Sequence, residues 1–292
     1  MSLPIANPPL TEADTLAGPR AWLSALAAMS RKELTIMLRY PVELVASFGQ
    51  VFLIVVILTL AGLTFSARGQ GAGTGNGDVA GLVVYGFVIF IFLNDTLWGI
   101  GYNVRREQKQ GTLEQLYLSP ASKFASLLSR VSVTLVWTGT LAVGSGVIIS
   151  ALLGRLPVHN LPLGGLILAL TLSGTFGTGF AFAALTLRVR EAGQTLANLL
   201  QFAFMVICAP FFPFSALPEW VRVISRLIPL SYGVDAFRST LMGYPAGFPE
   251  LAPLPLELAL VAAFGLLMPL LGYWLYQREE NRARRNGSLS EY

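Results

Sequence analysis

The chain has 292 residues, of which 54% are hydrophobic and 12% charged, and its mean hydropathy is +0.62. Soluble domains carry about 25% charged residues, so this composition excludes an ordinary soluble domain and points to an integral membrane protein. The net charge of +4 gives no reason to expect a nucleic-acid partner, because Lys and Arg sit beside apolar runs rather than in one patch, and the single Cys208 excludes an internal disulfide.

In chain order, residues 1–19 are Pro-rich and lack a charged stretch followed by an apolar core, so a disordered tail without a cleaved signal peptide is expected. Residues 20–41 pattern as an amphipathic helix. Trp22, Leu26, Met29, Ile36 and Met37 project to one side and Arg20, Ser24, Arg31, Thr35 and Arg39 to the other, with Glu33 and Leu38 breaking the pattern. Such a helix would lie in the headgroup layer, a plain cytoplasmic extension being the alternative.

About 20 mainly apolar residues are needed to cross the hydrocarbon core. Six stretches qualify: residues 42–65, 80–101, 124–153, 162–187, 194–214 and 255–276. The third is long enough to tilt or protrude. The expected fold is an all-α integral membrane protein with six transmembrane helices in a 42–276 domain, followed by a 277–292 cytoplasmic tail. Lys and Arg accumulate on the cytoplasmic side. With the N-terminus inside, 14 of the 20 basic residues fall in the inner segments and five in the outer ones, Arg130 lying within the third span. Both termini are therefore expected in the cytoplasm and the chain in the cell membrane.

The outer loop "ARGQGAGTGNGDVA" is Gly-rich and expected to be mobile. Before the last span, "LPEWVRVISRLI" opens with Pro and Glu, which suit a first helical turn, and "SYGVDAFRSTLMG" offers Ser231 as a cap. Both are too short to cross a bilayer, so outer interfacial or re-entrant helices are expected. Pro210 and Pro213 should break the fifth span near its outer end, with Phe211, Phe212 and Phe214 at an outer constriction of a translocation path.

Within the spans, charges are costly and call for a partner. Asp95 and Arg130 each lie about six residues from an inner end, at roughly 9 Å depth, and are expected to form an ion pair between neighbouring helices; a place in the substrate path is the alternative. Gln194, Asn198 and Gln201 share one face of the fifth span, which should meet protein or line a cavity rather than lipid. Gly139, Gly144 and Gly146 in the third span, and Gly174, Gly177 and Gly179 in the fourth, permit close helix contact.

The polar interruption "REQKQGTLEQLYLSP" holds a short capped helix. Thr112 and Gln115 have capping-box spacing, Glu114 suits the first turn, and Ser119-Pro120 stops it. Isolated helices under about 12 residues are marginal in water, so something must hold this one: a partner, or the inner ends of its own spans. Glu107, Gly111 to Leu116 and Ser119-Pro120 resemble the cytoplasmic signature of ABC transporter type-2 permeases. Residues 213–243 resemble that family's stretch before the last span, and "LRYPVELV" its approach to the first.

The resemblance implies a permease that pairs with a second copy of itself, or a related permease, and with ABC-type ATP-binding subunits. Glu107, Gly111, Thr112, Leu113, Glu114, Gln115 and Leu116 would be the coupling helix that touches the ATPase, with Arg190 and Glu191 as a second contact. ATP and magnesium would then reside in the partner. The three lysines, Lys32, Lys109 and Lys123, are followed by Glu, Gln and Phe, so no phosphate-cradling GxxxxGK[ST] loop is present. One His and one Cys give no support to a metal cluster or a Cys–His pair, and there is no G-x-S-x-G elbow. An enzyme is therefore not expected. The rival class is a secondary transporter or channel that needs no ATPase. No motif selects among drugs, lipids, lipid-linked glycans and ions as cargo.

Overall fold

A computed structural model describes positions 27, 31, 35 and 39 and residues 41–68, 76–102, 123–153, 156–189 and 192–285. Among these the protein is all-helical: α1 Pro41–Arg68, α2 Asn76–Thr96, α3 Lys123–Leu153, α4 Leu161–Arg188, α5 Gly193–Ile207, α6 Glu219–Leu227, α7 Pro229–Met242 and α8 Leu254–Arg285. Among the described residues, three helices are long and apolar enough to cross a membrane, over Gly81–Gly99, Leu161–Thr186 and Leu254–Arg282; the other three expected spans contain shorter apolar stretches, Phe48–Leu60, Leu135–Ala151 and Gly193–Ile207.

Each boundary has a local cause. The Gly-rich loop is shorter than its composition suggests, because α1 runs to Arg68 and α2 begins at Asn76. At the far end of α2 the helix widens into a π-helical turn, Leu97–Tyr102. α5 stops at Ile207, seven residues before the end of the expected fifth span. Pro210 has no N–H to continue the ladder, and Ala209 sits at φ 44, which turns the chain out of the helix. α7 begins at Pro229, with Ile228 as cap. Ser231 is thus inside the first turn rather than capping it, and its hydroxyl points at the Cys208 sulfur, 3.6 Å away. α8 runs nine residues beyond position 276, so much of the expected tail is helical.

α4 lies at the centre of the bundle, packed on α8, α7, α2 and the π-helical turn. Its seam with α8 is made by small residues. A Cβ on Gly177 would fall 2.3 Å from the carbonyl carbon of Met268, and one on Gly265 2.5 Å from the oxygen of Leu170. Backbones so close leave room for hydrogen alone, which is how helices gain dispersion contact when lipid removes the hydrophobic drive between them. In α3, Gly144 accommodates the ring of Phe48 from α1.

At one end of the bundle the loop at 156–160, the start of α4 and the end of α7 are fastened together. The His159 N–H donates to the Leu241 oxygen at 2.8 Å, and Tyr85 on α2 donates its hydroxyl to Pro157. α7 ends on Gly243 at φ 78, the left-handed conformation that closes a helix, and the Tyr244 N–H returns to the Ser239 oxygen at 2.9 Å.

Candidate functional site

α1, α2, α3 and α5 leave a cavity of about 530 Å³ between them. Phe87 and Phe90 enter from α2, Trp137 from α3, Met205 from α5, and Phe211 from the break that follows α5. The Phe211 ring packs edge-on against Phe90 at 5.3 Å and tilted against Phe87 at 6.0 Å, so the three rings form one aromatic cluster in the lining. Gln50, Asn94, Asp95 and Gln201 add polar groups to a lining that is otherwise aliphatic, with Val51, Ile54, Ile57 and Leu58 from α1, Ile91 from α2 and Leu141 from α3.

Asp95 and Gln201 were both singled out from sequence, and the fold brings them into this one cavity. The π-helical turn carries Trp98 round to α5, where its Nε1–H donates to Gln201 Oε1 at 3.1 Å. Asp95 accepts the hydroxyl of fully buried Thr138 on α3, and an Asn94 amide N–H lies 3.5 Å from its other oxygen. The Asn94 carbonyl oxygen is buried with no hydrogen-bond partner. Arg130, the residue matched with Asp95 from sequence, is on α3 eight residues before Thr138, and its side chain lies outside the described residues.

The other sequence-derived positions part company. Phe211 lines the cavity, Phe214 is fully buried in the core, and Phe212 contributes its backbone carbonyl to Arg238. Asn198 is exposed on α5, away from the cavity lining. Glu107, Gly111, Thr112, Leu113, Glu114, Gln115, Leu116, Arg190 and Glu191 lie outside the described residues.

What sequence reasoning missed is the clamp that holds the aromatic end. Arg238 on α7 is fully buried and donates to the carbonyls of Ala209 and Phe212, which the broken end of α5 leaves without helical donors. One turn earlier, Asp235 Oδ2 accepts the N–H groups of Glu250 (2.7 Å) and Leu251 (2.8 Å), and Glu257 takes the next, Ala252, at 3.2 Å. α7 therefore ties down both flanking segments, and Phe211 is held between two of the carbonyl contacts. Gly86 on α2 makes the arrangement sterically open, since a Cβ there would fall 2.0 Å from the Pro210 oxygen. An Asp and an Arg three residues apart within "GVDAFRST" were the available signal.

A match to the family described as ABC-2 family transporter protein covers residues 69–274, more than two thirds of the chain. The chain belongs to the ABC-2 transporter family. It is thus the membrane subunit of an ABC transporter, from a family of permeases that are typically not catalytic themselves and generally work with an ABC ATP-binding subunit. The two blocks of resemblance at Glu107–Leu116 and 213–243 fall within the matched region of the permease. A search of the curated proteins returns no match.

Proposed function

We propose that this permease forms the translocation path of an ATP-driven exporter and couples to a separate ATP-binding subunit. The observation that carries the reading is the cavity among α1, α2, α3 and α5: four polar side chains gathered in a mainly apolar lining, in a chain of the ABC-2 family. Burying Asn94, Asp95 and Gln201 in a lipid-facing bundle is costly unless they meet protein, water or cargo. The chain has no phosphate-cradling loop of its own.

In this reading the six apolar stretches span the cell membrane with both termini in the cytoplasm, and two permeases, identical or related, act as a pair. Exposed apolar side chains on α1 (Val45, Leu53, Ile57) and α5 (Leu199, Phe202) supply faces for lipid or for that second copy. Glu107 and Gly111–Leu116, with Arg190 and Glu191, receive the movement of the ATPase; ATP and magnesium act there, in the partner. The movement tilts the helices and shifts the cavity from inward to outward access. The end held by Arg238 is the outer one, and Phe211 closes it.

The membrane boundary has two aromatic markers. Trp220 on α6 is 69% exposed at the clamp end, and Trp274 on α8 is half-exposed beneath the guanidinium of Arg278, 5.4 Å from its ring centroid. Aromatic rings and basic residues of this kind sit at headgroup level.

Co-expression with candidate ABC-type ATP-binding chains and purification in detergent tests the assignment. The permease should retain one of them, and Glu114→Lys should weaken retention by about tenfold while insertion into the membrane is unchanged. Full transport by the purified permease alone, driven by an ion gradient, would instead establish a secondary carrier.

A further inference from the structure

Among the polar side chains of the cavity lining are acceptors. Asp95 presents a carboxylate and Asn94 a carbonyl oxygen that has no partner, and the groups described as donating to Asp95, Thr138 and Asn94, are both neutral. The same lining holds Phe87 and Phe90, two turns and one turn before Asn94 on α2, with Trp137 from α3 and Phe211, whose ring faces attract cations, and the polarisable thioether of Met205. A volume of about 530 Å³ suits a drug-sized molecule.

From this juxtaposition we infer that the cavity takes amphipathic organic monocations, protonated amines attached to an aromatic or apolar body. The ammonium N–H groups donate to the Asp95 carboxylate and the Asn94 carbonyl, and the apolar body stacks among the phenylalanines. One carboxylate neutralises one positive charge, which favours monocations over dications. Anions meet the Asp95 carboxylate there and are disfavoured, although the amides of Gln50 and Gln201 can donate to them. Neutral molecules of the same shape keep the aromatic contacts and lose the charge-assisted hydrogen bond.

The inference deepens the permease reading and rests on it, because it names the cargo of the same cavity. Its test needs no ATPase, so failure here leaves the coupling assignment standing, and failure of coupling leaves this result readable. The full-length permease is placed in zwitterionic phosphatidylcholine nanodiscs at pH 7. Binding of 1-pyrenemethylamine, 1-pyrenemethanol and 1-pyrenecarboxylate is followed by energy transfer from tryptophan, with protein-free nanodiscs as the blank.

The wild type should bind the amine about tenfold more tightly than the alcohol, the size expected of one charge-assisted hydrogen bond, and the carboxylate more weakly than either. Asp95→Asn should bring amine and alcohol to within about twofold of each other, Asp95→Glu should keep most of the preference, and Phe90→Ala should weaken both probes alike. The wild-type order stands as a test even if Asp95→Asn does not fold. Equal binding of amine and alcohol by the wild type overturns the inference, and this is also the result expected if Arg130 neutralises Asp95. An undiminished preference in Asp95→Asn overturns it as well.

Discussion

Ser173 on α4 donates its hydroxyl to the carbonyl oxygen of Gly265 on α8 at 2.7 Å, four residues before Pro269. Proline has no N–H, so the oxygen four residues back loses its helical donor, and in an apolar bundle no water replaces it. A side chain from the neighbouring helix makes the bond instead. The same stretch of α8 is where Gly177 lets the two backbones meet, so the proline break and the close seam are one feature.

Ser173→Ala should therefore cost about 1–3 kcal/mol, the penalty of an unpaired buried carbonyl. Pro269→Ala restores a helical N–H to Gly265, so in that background Ser173→Ala should cost markedly less. A double-mutant cycle on thermal unfolding in detergent reads the coupling. Equal losses in the two backgrounds would refute the compensation.

The clamp gives a second prediction. Arg238→Met leaves the carbonyls of Ala209 and Phe212 without their donor and should cost about 2–5 kcal/mol. It also releases the segment bearing Phe211, so the cavity should open at that end, seen as increased small-ion leak in proteoliposomes. Gly86→Ala attacks the same segment from α2, by pressing on the Pro210 oxygen, and should give the same leak. Normal stability and a tight membrane in both variants would contradict the role given to the clamp.

These two relationships show what could and could not be read beforehand. Long apolar runs bounded by Pro, Gly or charge mark α4 and α8 well, because membrane thickness sets their length. The end of α5 is legible in Pro210 and Pro213, although the helix stops earlier than the apolar run does. Ser173 and Pro269 are each visible, but their pairing is set by tertiary packing across 92 residues of sequence separation. Arg238 counts in sequence as an outer-loop charge. It is buried because the broken end of α5 offers it carbonyls, and no local pattern reports that. The helical spacing of Gln201 with Gln194 and Asn198 is visible in sequence, while its partner Trp98 depends on a π-helical turn that shifts the register of α2.

Glu250 supplies a pH dependence. It lies between α7 and α8, half-buried, with one carboxylate oxygen accepting the Ser215 N–H and the other without a partner. Burial raises its pKa above the ordinary 4.5; Asp235 adds to the rise, while the Ser215 N–H and Arg238 oppose it. A raised folded value means that the stabilising contribution is complete below pH 4.5 and is lost as pH climbs through that folded value. The Tm of Glu250→Gln should therefore fall less steeply above pH 4.5 than that of the wild type. Parallel profiles would show that Glu250 does not titrate with folding.

The central claim is that the cavity changes sides when a partner chain handles ATP. Cys208 is the single cysteine and is buried, so a Cys208→Ala background allows one reporter thiol to be placed at Met205 in the cavity wall. Membrane vesicles containing both chains are treated with a membrane-impermeant maleimide from one side at a time, without nucleotide and after ATP hydrolysis in the presence of vanadate, which traps ADP in the partner. The account predicts that Met205→Cys reacts from the cytoplasmic side without nucleotide and from the opposite side in the trapped state. Reactivity from the same side at the same rate in both states would contradict it.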